Sequence, residues 1–81
     1  MAFVASVNVM LKDGIADPQG QTIEKALPAL GFDGVGAVRV GKRIRLEVDA
    51  ADAAAARAKV EEMCQALLAN PVIESFEVEV G

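Results

Sequence analysis

The alternation of apolar and polar side chains along the chain predicts a β-strand near each end. Residues 3–11 carry an apolar side chain at every odd position, and residues 72–80 alternate in a similar way except at Glu74. Val4 and Met10 add apolar groups to the second face of the first strand. A strand that is apolar on both faces is typical of a central strand, or of one that another chain covers.

Between these ends, residues 35–49 predict a β-hairpin. Val38 to Val40 form its first strand, and Gly41 and Lys42 are the turn pair. The residues that follow alternate cleanly. Three of them are predicted to face the core: Ile44, Leu46 and Val48.

Residues 18–30 predict the first helix. Asp17 can cap its free N–H groups, and Pro18 suits the first helical position because that position needs no N–H donor. Pro28 is expected to kink the last turn, Gly31 to end the helix in a left-handed conformation, and Phe32 to fold back onto it. The apolar stripe at helical spacing consists of Ile23, Ala26, Leu27 and Leu30.

A second helix is predicted from the alanine-rich stretch that follows the hairpin. Asp49 is expected to cap it, with Asp52 three residues on, and Asn70 and Pro71 are expected to end it. Arginine, lysine and glutamate side chains lie outside the apolar stripe. The predicted buried stripe consists of Ala56, Val60, Met63, Cys64, Leu67 and Leu68.

The element order is therefore βαββαβ in a single domain, residues 1–81. This order predicts an α+β, ferredoxin-like two-layer sandwich, with a four-stranded antiparallel sheet and both helices on one face. The other face of the sheet has no covering layer, so we predict sheet-to-sheet self-association there. Its predicted contact residues are Val4, Met10, Val38 and Ile73.

Length and charge narrow the classes of function. A chain of 81 residues has a marginal core, and with one cysteine and no histidine neither a disulfide nor a soft-ligand metal site is expected to support it. Association with other chains is the remaining way to stabilise so small a core. The net charge of −4 argues against nucleic acid as a partner. No apolar run suits a membrane span and no secretory signal is recognisable, so we expect a soluble, cytoplasmic protein.

The sequence offers little catalytic chemistry, and we predict no catalytic, cofactor-binding or metal-binding residue. Without histidine there is no triad of that type, and Cys64 on an apolar stripe is better explained as a structural thiol. Ser6 and Ser75 lie inside strands. Asp17 is more simply a helix cap than part of an anion site. The basic cluster from Arg39 to Arg45 fits a solvated hairpin and a docking surface for an acidic partner about equally well.

Three short strings occur in order along the chain: Asp17-Pro18-Gln19-Gly20 at the start of the first helix, Arg39-Val40-Gly41-Lys42 at the predicted turn, and MCQALLANPVIE from Met63 to Glu74. Taken together, they resemble the PurS family, the small subunit of phosphoribosylformylglycinamidine (FGAM) synthase. The resemblance extends from about Val4 to Val80. Asp13 stands where the family commonly has proline, Pro28 interrupts the first helix, and Ala53 to Ala56 replace a stretch that is often acidic.

The resemblance implies a non-catalytic subunit of an ATP- and glutamine-dependent ligase complex in de novo purine biosynthesis. Such a subunit self-associates as a dimer or tetramer, bridges the glutaminase and the large synthetase subunit, and assists ammonia transfer. ATP, Mg and glutamine are used by the whole complex, and none is expected in this chain. The predicted docking residues are Asp17, Pro18, Gln19, Gly20, Arg39, Gly41, Lys42, Asn70 and Pro71. A stand-alone ligand-sensing domain of the same topology is the alternative.

Overall fold

The computed structural model describes residues 1–81 and contains three strands and two α-helices, an α+β architecture. A π-helical turn, Cys64–Leu68, continues the second helix. The elements, in chain order, are β1 (Ala2–Leu11), α1 (Pro18–Ala29), β2 (Gly41–Asp49), α2 (Ala53–Met63) and β3 (Glu74–Val80). None of the helices is long and apolar enough to span a membrane.

Strand β1 lies at the centre of an antiparallel sheet of order β2-β1-β3. Val7 sits opposite Ile44 on one side and Val78 on the other, so the apolar side chains of all three strands share one face. Helix α2 covers that face, and Val60 and Cys64 are fully buried against it. The predicted first and last strands and both predicted helices are present.

The predicted hairpin is wrong, and the sheet has three strands instead of four. Gly41 and Lys42 do not form a turn, because they pair with Met10 and Val9 as the first residues of β2. The preceding segment has no strand partner, since its backbone donors are taken by side chains of the α1 region. Val38 N–H donates to the Glu24 carboxylate at 3.0 Å and Val40 N–H to Asp17 at 2.8 Å.

The prediction of two helices on one sheet face is also wrong. Helix α1 does not pack on the sheet or on α2, and it projects from the end of the sheet. The radius of gyration is 16.3 Å, whereas about 12 Å is typical of a compact chain of this length. The apolar stripe of α1 is correspondingly uncovered, with Leu30 71% exposed.

The C-terminus of α1 forms the predicted left-handed stop. Gly31 has φ of +96°, its N–H donates to the Pro28 carbonyl, and the N–H of Phe32 donates to that of Leu27. Pro28 is tolerated within the last turn. Phe32 does not fold back as predicted. Its side chain is 58% exposed, because the helix offers no neighbouring layer into which it could pack.

The boundaries of α2 differ from the prediction at both ends. Asp52, and not Asp49, is the N-cap, and its carboxylate accepts the Ala55 N–H at 2.8 Å. Asp49 still belongs to β2, where it pairs with Ala2. Beyond Met63 the helix widens into the π-turn, which adds a residue to the turn and leaves Leu67 exposed although the α-helical spacing predicts it as buried.

The face of the sheet opposite α2 is more polar than predicted. On this face, Ser6 and Asn8 of β1 each lie between an arginine of β2 and a glutamate of β3, which form its two central cross-strand rows. Arg43 lies 3.6 Å from Glu79. Val4 and Met10 lie on this face. Val38 and Ile73 do not, because one precedes β2 in an irregular segment and the other lies in the turn before β3.

Candidate docking site

The three predicted docking segments meet at one end of the sheet, where β1 ends and α1 begins. Two of them contribute Asp17 to Gln19 and Val40 to Lys42 to the lining of a depression of about 440 Å³, together with Glu74 of β3. The third segment, Asn70 and Pro71, is joined to the same end through Glu74. We call this the β1-end surface, and its lining residues are Val9, Leu11, Asp17, Pro18, Gln19, Val40, Gly41, Lys42 and Glu74.

Asp17 fixes the geometry of this surface. Its side chain is only 7% exposed, and its two carboxylate oxygens accept the N–H of Gly20 and the N–H of Val40, each at 2.8 Å. These backbone donors, first that of Val40 and then that of Gly20, together with the nearby Arg39, lower the pKa of Asp17 below its ordinary value of 3.8 although burial opposes the shift. Asp17 is therefore ionised at neutral pH and joins α1 to the segment before β2.

Arg39 connects that segment to the end of β1. Its guanidinium donates to the carbonyl oxygens of Leu11 at 2.6 Å and Lys12 at 3.2 Å, and it lies 3.6 Å from the Asp13 carboxylate. The Arg39 side chain is therefore largely occupied by its own chain. Its role in the fold is to hold the two ends of the α1 region together.

The Asn70–Pro71 segment is held by Lys12 and Glu74. Lys12 Nζ donates to the Pro71 carbonyl at 2.8 Å, and the Glu74 carboxylate accepts the Asn70 N–H at 2.7 Å. The Asn70 side chain accepts the Val72 N–H at 3.1 Å. The loop that follows α2 is thereby set beside the loop that follows β1, although about 60 residues separate them in sequence.

Two glycines of the predicted site are required by close approach. A Cβ on Gly20 would collide with the Val38 carbonyl oxygen, and one on Gly41 would collide with Met10 and the Val9 carbonyl oxygen. Both glycines therefore have structural reasons to be present. The predicted site residues that are exposed and not required by these internal contacts are Pro18, Gln19, Lys42 and Pro71.

The sequence analysis did not assign four lining residues of this surface, Val9, Leu11, Val40 and Glu74, to the site. It also missed Lys12 and Glu24, which hold the neighbouring segments in place. Glu74 gave a usable signal, because it interrupts the apolar series of the last strand at an inward position. Lys12 and Glu24 gave none, since charged residues in a loop and on a helix are ordinary solvated groups. Their partners are backbone atoms that only the folded chain brings within reach.

Cys64 is a free cysteine and is buried. Burial, with a smaller contribution from Glu61, raises the pKa of the Cys64 thiol, so the thiol stays protonated and unreactive at neutral pH. No group of three or more cysteine, aspartate or glutamate side chains is placed to hold a metal ion. The predicted site is a shaped, partly charged depression at the surface.

A family model named PurS and described as phosphoribosylformylglycinamidine (FGAM) synthase matches residues 4–81. The chain belongs to the PurS family. A PurS subunit from Methanocaldococcus jannaschii is 41% identical over 78 residues, which are 96% of this chain and 94% of the relative. One from Mycobacterium leprae is 46% identical over 74 residues, with 91% and 90% covered.

Solved PurS structures share the fold over nearly the whole chain. The crystal structure of the Methanocaldococcus jannaschii protein superposes with a TM-score of 0.87 at 40% identity, and covers 98% of this chain and 95% of that one. A chain in the structure of PurLQS from Thermotoga maritima gives 0.91 at 36% identity, with 100% and 99% covered. The PurS resemblance found in the sequence is confirmed.

Proposed function

We propose that this chain is the small, non-catalytic subunit of an FGAM synthase complex in purine biosynthesis. The observation that carries the proposal is the match over the whole chain to PurS subunits, one of them in a structure described as PurLQS. The absence of a nucleophile–base pair around Cys64 or the two serines is consistent with a role that leaves catalysis to other subunits. Through its complex, the chain takes part in an ATP- and glutamine-dependent ligase reaction.

In this proposal the subunit joins the glutaminase to the large synthetase subunit and helps ammonia to pass between them. ATP, Mg and glutamine bind to the other subunits. The work of the small subunit is positional: it holds the ammonia source at a fixed distance from the site that consumes the ammonia, which raises the effective concentration of the transferred molecule. The compartment is the cytoplasm.

The β1-end surface is the proposed docking site for these partners. Its framework is provided by Asp17, Gly20, Arg39 and Gly41, whose internal contacts fix the shape. Gln19, Lys42 and Pro71 are exposed and supply the contacts, with Pro18 and Asn70 beside them. Lys42 lines the depression and forms no ion pair within its own chain, so its charge is available to an acidic partner.

The proposed subunit also associates with copies of itself, as a dimer or tetramer. Val4 and Met10 are the predicted residues that lie on the open sheet face, and they flank its charged central rows. On this face arginines line one edge strand and glutamates the other. A second copy, rotated by a two-fold axis parallel to β1, would place its arginines over the glutamates of the first.

Reconstitution tests the bridging role. The candidate synthetase and glutaminase are mixed with and without this chain, and synthesis is measured with glutamine and, separately, with free ammonia. We expect the chain to raise the glutamine-dependent rate and to leave the ammonia-dependent rate nearly unchanged. Equal glutamine-dependent rates in both mixtures would overturn the proposal.

A charge reversal at Lys42 tests the docking surface. Lys42→Glu should weaken assembly about tenfold, because it removes one favourable charge contact and introduces a repulsive one. The matched control is Lys25→Glu, which makes the same charge change on α1 away from the depression. Binding is measured by titration of labelled subunit into the other two. The same dissociation constant for both variants would remove Lys42 from the interface.

A further inference from the structure

Strand β3 lies at an edge of the sheet, and its outer side has no strand partner. On its inner side, the N–H of Gly81 donates to the Val4 carbonyl oxygen at 3.0 Å, which fixes the residues that bond to β1. Because inward and outward groups alternate along an antiparallel pair, the N–H groups of Phe76, Val78 and Val80 point outward. None of these three N–H groups has an acceptor within the chain.

Apart from its glutamates, β3 lacks the features that usually keep a second strand away from an edge. It contains no proline and no lysine, and its pairing with β1 is continuous from Glu74 to Val80, without a bulge. Helix α2 covers one of its outward carbonyl groups, since Arg57 donates to the Val78 carbonyl oxygen at 2.6 Å. The remaining outward groups are free to pair with another strand.

The side chains beside this edge are acidic on both sides of the sheet. Glu77 and Glu79 project from the open face. Glu61 and Glu62 of α2 lie on the other side, close to β3. Only Glu79 among these four has an ion pair, with an arginine of β2. The glutamates therefore repel an acidic strand, including β3 of another copy, and attract a basic one.

A depression on the helix side adjoins the middle of β3. It has a volume of about 500 Å³, and its lining residues are Ala58, Glu61, Glu62, Gln65, Ala66 and Phe76. Phe76 is only partly buried. The aliphatic stem of a lysine or arginine can pack on its ring while the charged group reaches Glu61 or Glu62. The depression thus suits a basic side chain of a strand added at this edge.

We propose that the outer edge of β3 binds an extended, basic segment of a partner polypeptide as a fourth strand of the sheet. The backbone of the segment pairs with the outward N–H groups and the uncovered carbonyl groups of β3, and its basic side chains meet the glutamates on both faces. This is a second docking surface, along the side of the sheet and not at its β1 end. It rests on the proposed function only for the source of the segment, which is another subunit of the complex.

Hydrogen exchange of the full chain with a model peptide tests the proposal. The probe is a peptide as long as β3, blocked at both ends, in which lysine and valine alternate. With this peptide in excess, exchange at Phe76, Val78 and Val80 should slow at least tenfold, because their N–H groups gain acceptors. The N–H groups of Glu77 and Glu79 already bond to β1, so their exchange should change less than threefold. A control peptide with glutamate in place of lysine should protect none of them.

A charge reversal tests the part played by the glutamates. Glu77→Lys should weaken binding of the lysine peptide at least fivefold, because it replaces an attraction at the β3 edge by a repulsion. The matched control, Glu47→Lys, makes the same change on the same face of the sheet but on β2, and should weaken binding less than twofold. Both side chains are exposed, and circular dichroism checks that both variants fold. If Glu77→Lys does not fold, Glu61→Lys at the depression replaces it.

Four results would overturn the proposal. They are no binding of the lysine peptide at about 1 mM, equal protection by the two peptides, protection of β2 instead of β3, and equal affinities of the Glu77 and Glu47 variants. The measurements need only this chain and a peptide, so their failure is distinct from failure of the glutamine-dependent reconstitution.

Discussion

The body of the molecule and the α1 arm are stabilised by different means. The body consists of residues 1–11 and 41–81, and the arm of residues 12–40. All nine buried apolar residues of the core lie in the body. In the arm, the only buried residues are Asp17 and Gly20, and its shape rests on bonds from side chains to backbone groups.

This difference shows how an apolar pattern alone can mislead. The stripes of α1 and α2 have the same helical spacing, yet only α2 has a sheet face opposite it. Packing holds α2, whereas a few charge-assisted hydrogen bonds hold α1 in a position where its stripe stays open. The position of α2 therefore depends on packing, and that of α1 on a few hydrogen bonds.

The largest expected effect comes from a truncation in the body. Val60→Ala should lower the free energy of unfolding by about 2–3 kcal/mol, because Val60 is fully buried between α2 and the sheet and the change leaves a cavity. Val72→Ala is the control, at a side chain that is 77% exposed, and should change it by less than about 0.5 kcal/mol. Urea denaturation measures both. Similar values for the two variants would mean that the core is not where the structure places it.

A substitution at the base of the arm should loosen the arm and spare the body. Gly20→Ala brings a Cβ into the Val38 carbonyl oxygen, a backbone atom that cannot rotate away, so the collision outweighs the gain of about 1 kcal/mol in helix propensity. Amide exchange at Val38 and Val40 should become about tenfold faster, with β1 unchanged. Gly36→Ala has open space and should leave these rates as they are.

Acid should act on the arm through Asp17. The pKa of Asp17 is lowered in the folded chain, so the stability that its ionised form contributes is present above 3.8 and is lost as the pH falls below that value through the folded pKa. Exchange at Gly20 and Val40, corrected for intrinsic rates, should rise over this range. In Asp17→Asn the same amides should exchange faster at neutral pH and lose this pH dependence. An unchanged pH profile would remove Asp17 as the cause.

The smallest effect is expected at the charged sheet face. Arg43 and Glu79 are 3.6 Å apart but are 63% and 61% exposed, so Glu79→Gln should change the free energy of unfolding by less than about 0.5 kcal/mol. The difference should vanish in about 1 M salt, where charges are screened within roughly 3 Å. A loss above 1 kcal/mol would show that this face supports the monomer and is not merely an outer surface.

The body was predictable from sequence because its patterns are local and consistent. The alternation in β1 and the alanine-rich start of α2 each follow from residues close in the chain. The same holds for the Gly31 stop in the arm. The position of α1 was not predictable, since it depends on Asp17 and Glu24 reaching backbone donors 14 to 23 residues away. These same bonds removed the predicted hairpin, because Val38 and Val40 have no donors left for a strand partner.

The candidate site was predicted as three separate strings, and the structure shows why they belong together. Asp17 and Arg39 join two of them, and Lys12 and Glu74 hold the third beside the first. The sequence could not separate framework residues from accessible ones. Gly41 is present because β2 approaches β1 closely, whereas nothing within the chain requires Lys42.

The carboxylates of Asp17 and Glu24 have a further consequence, for solubility. Val35 to Val40 is a short, largely apolar segment without a strand partner, and such segments readily template aggregation when their N–H groups are free. The N–H groups of Val38 and Val40 point to the same edge of an extended segment, and both are occupied by carboxylates. The two carboxylates thus keep these N–H groups from pairing with a strand of another chain. Protonation of Asp17, below its lowered folded pKa, releases the Val40 N–H, so precipitation at low pH should begin in this segment.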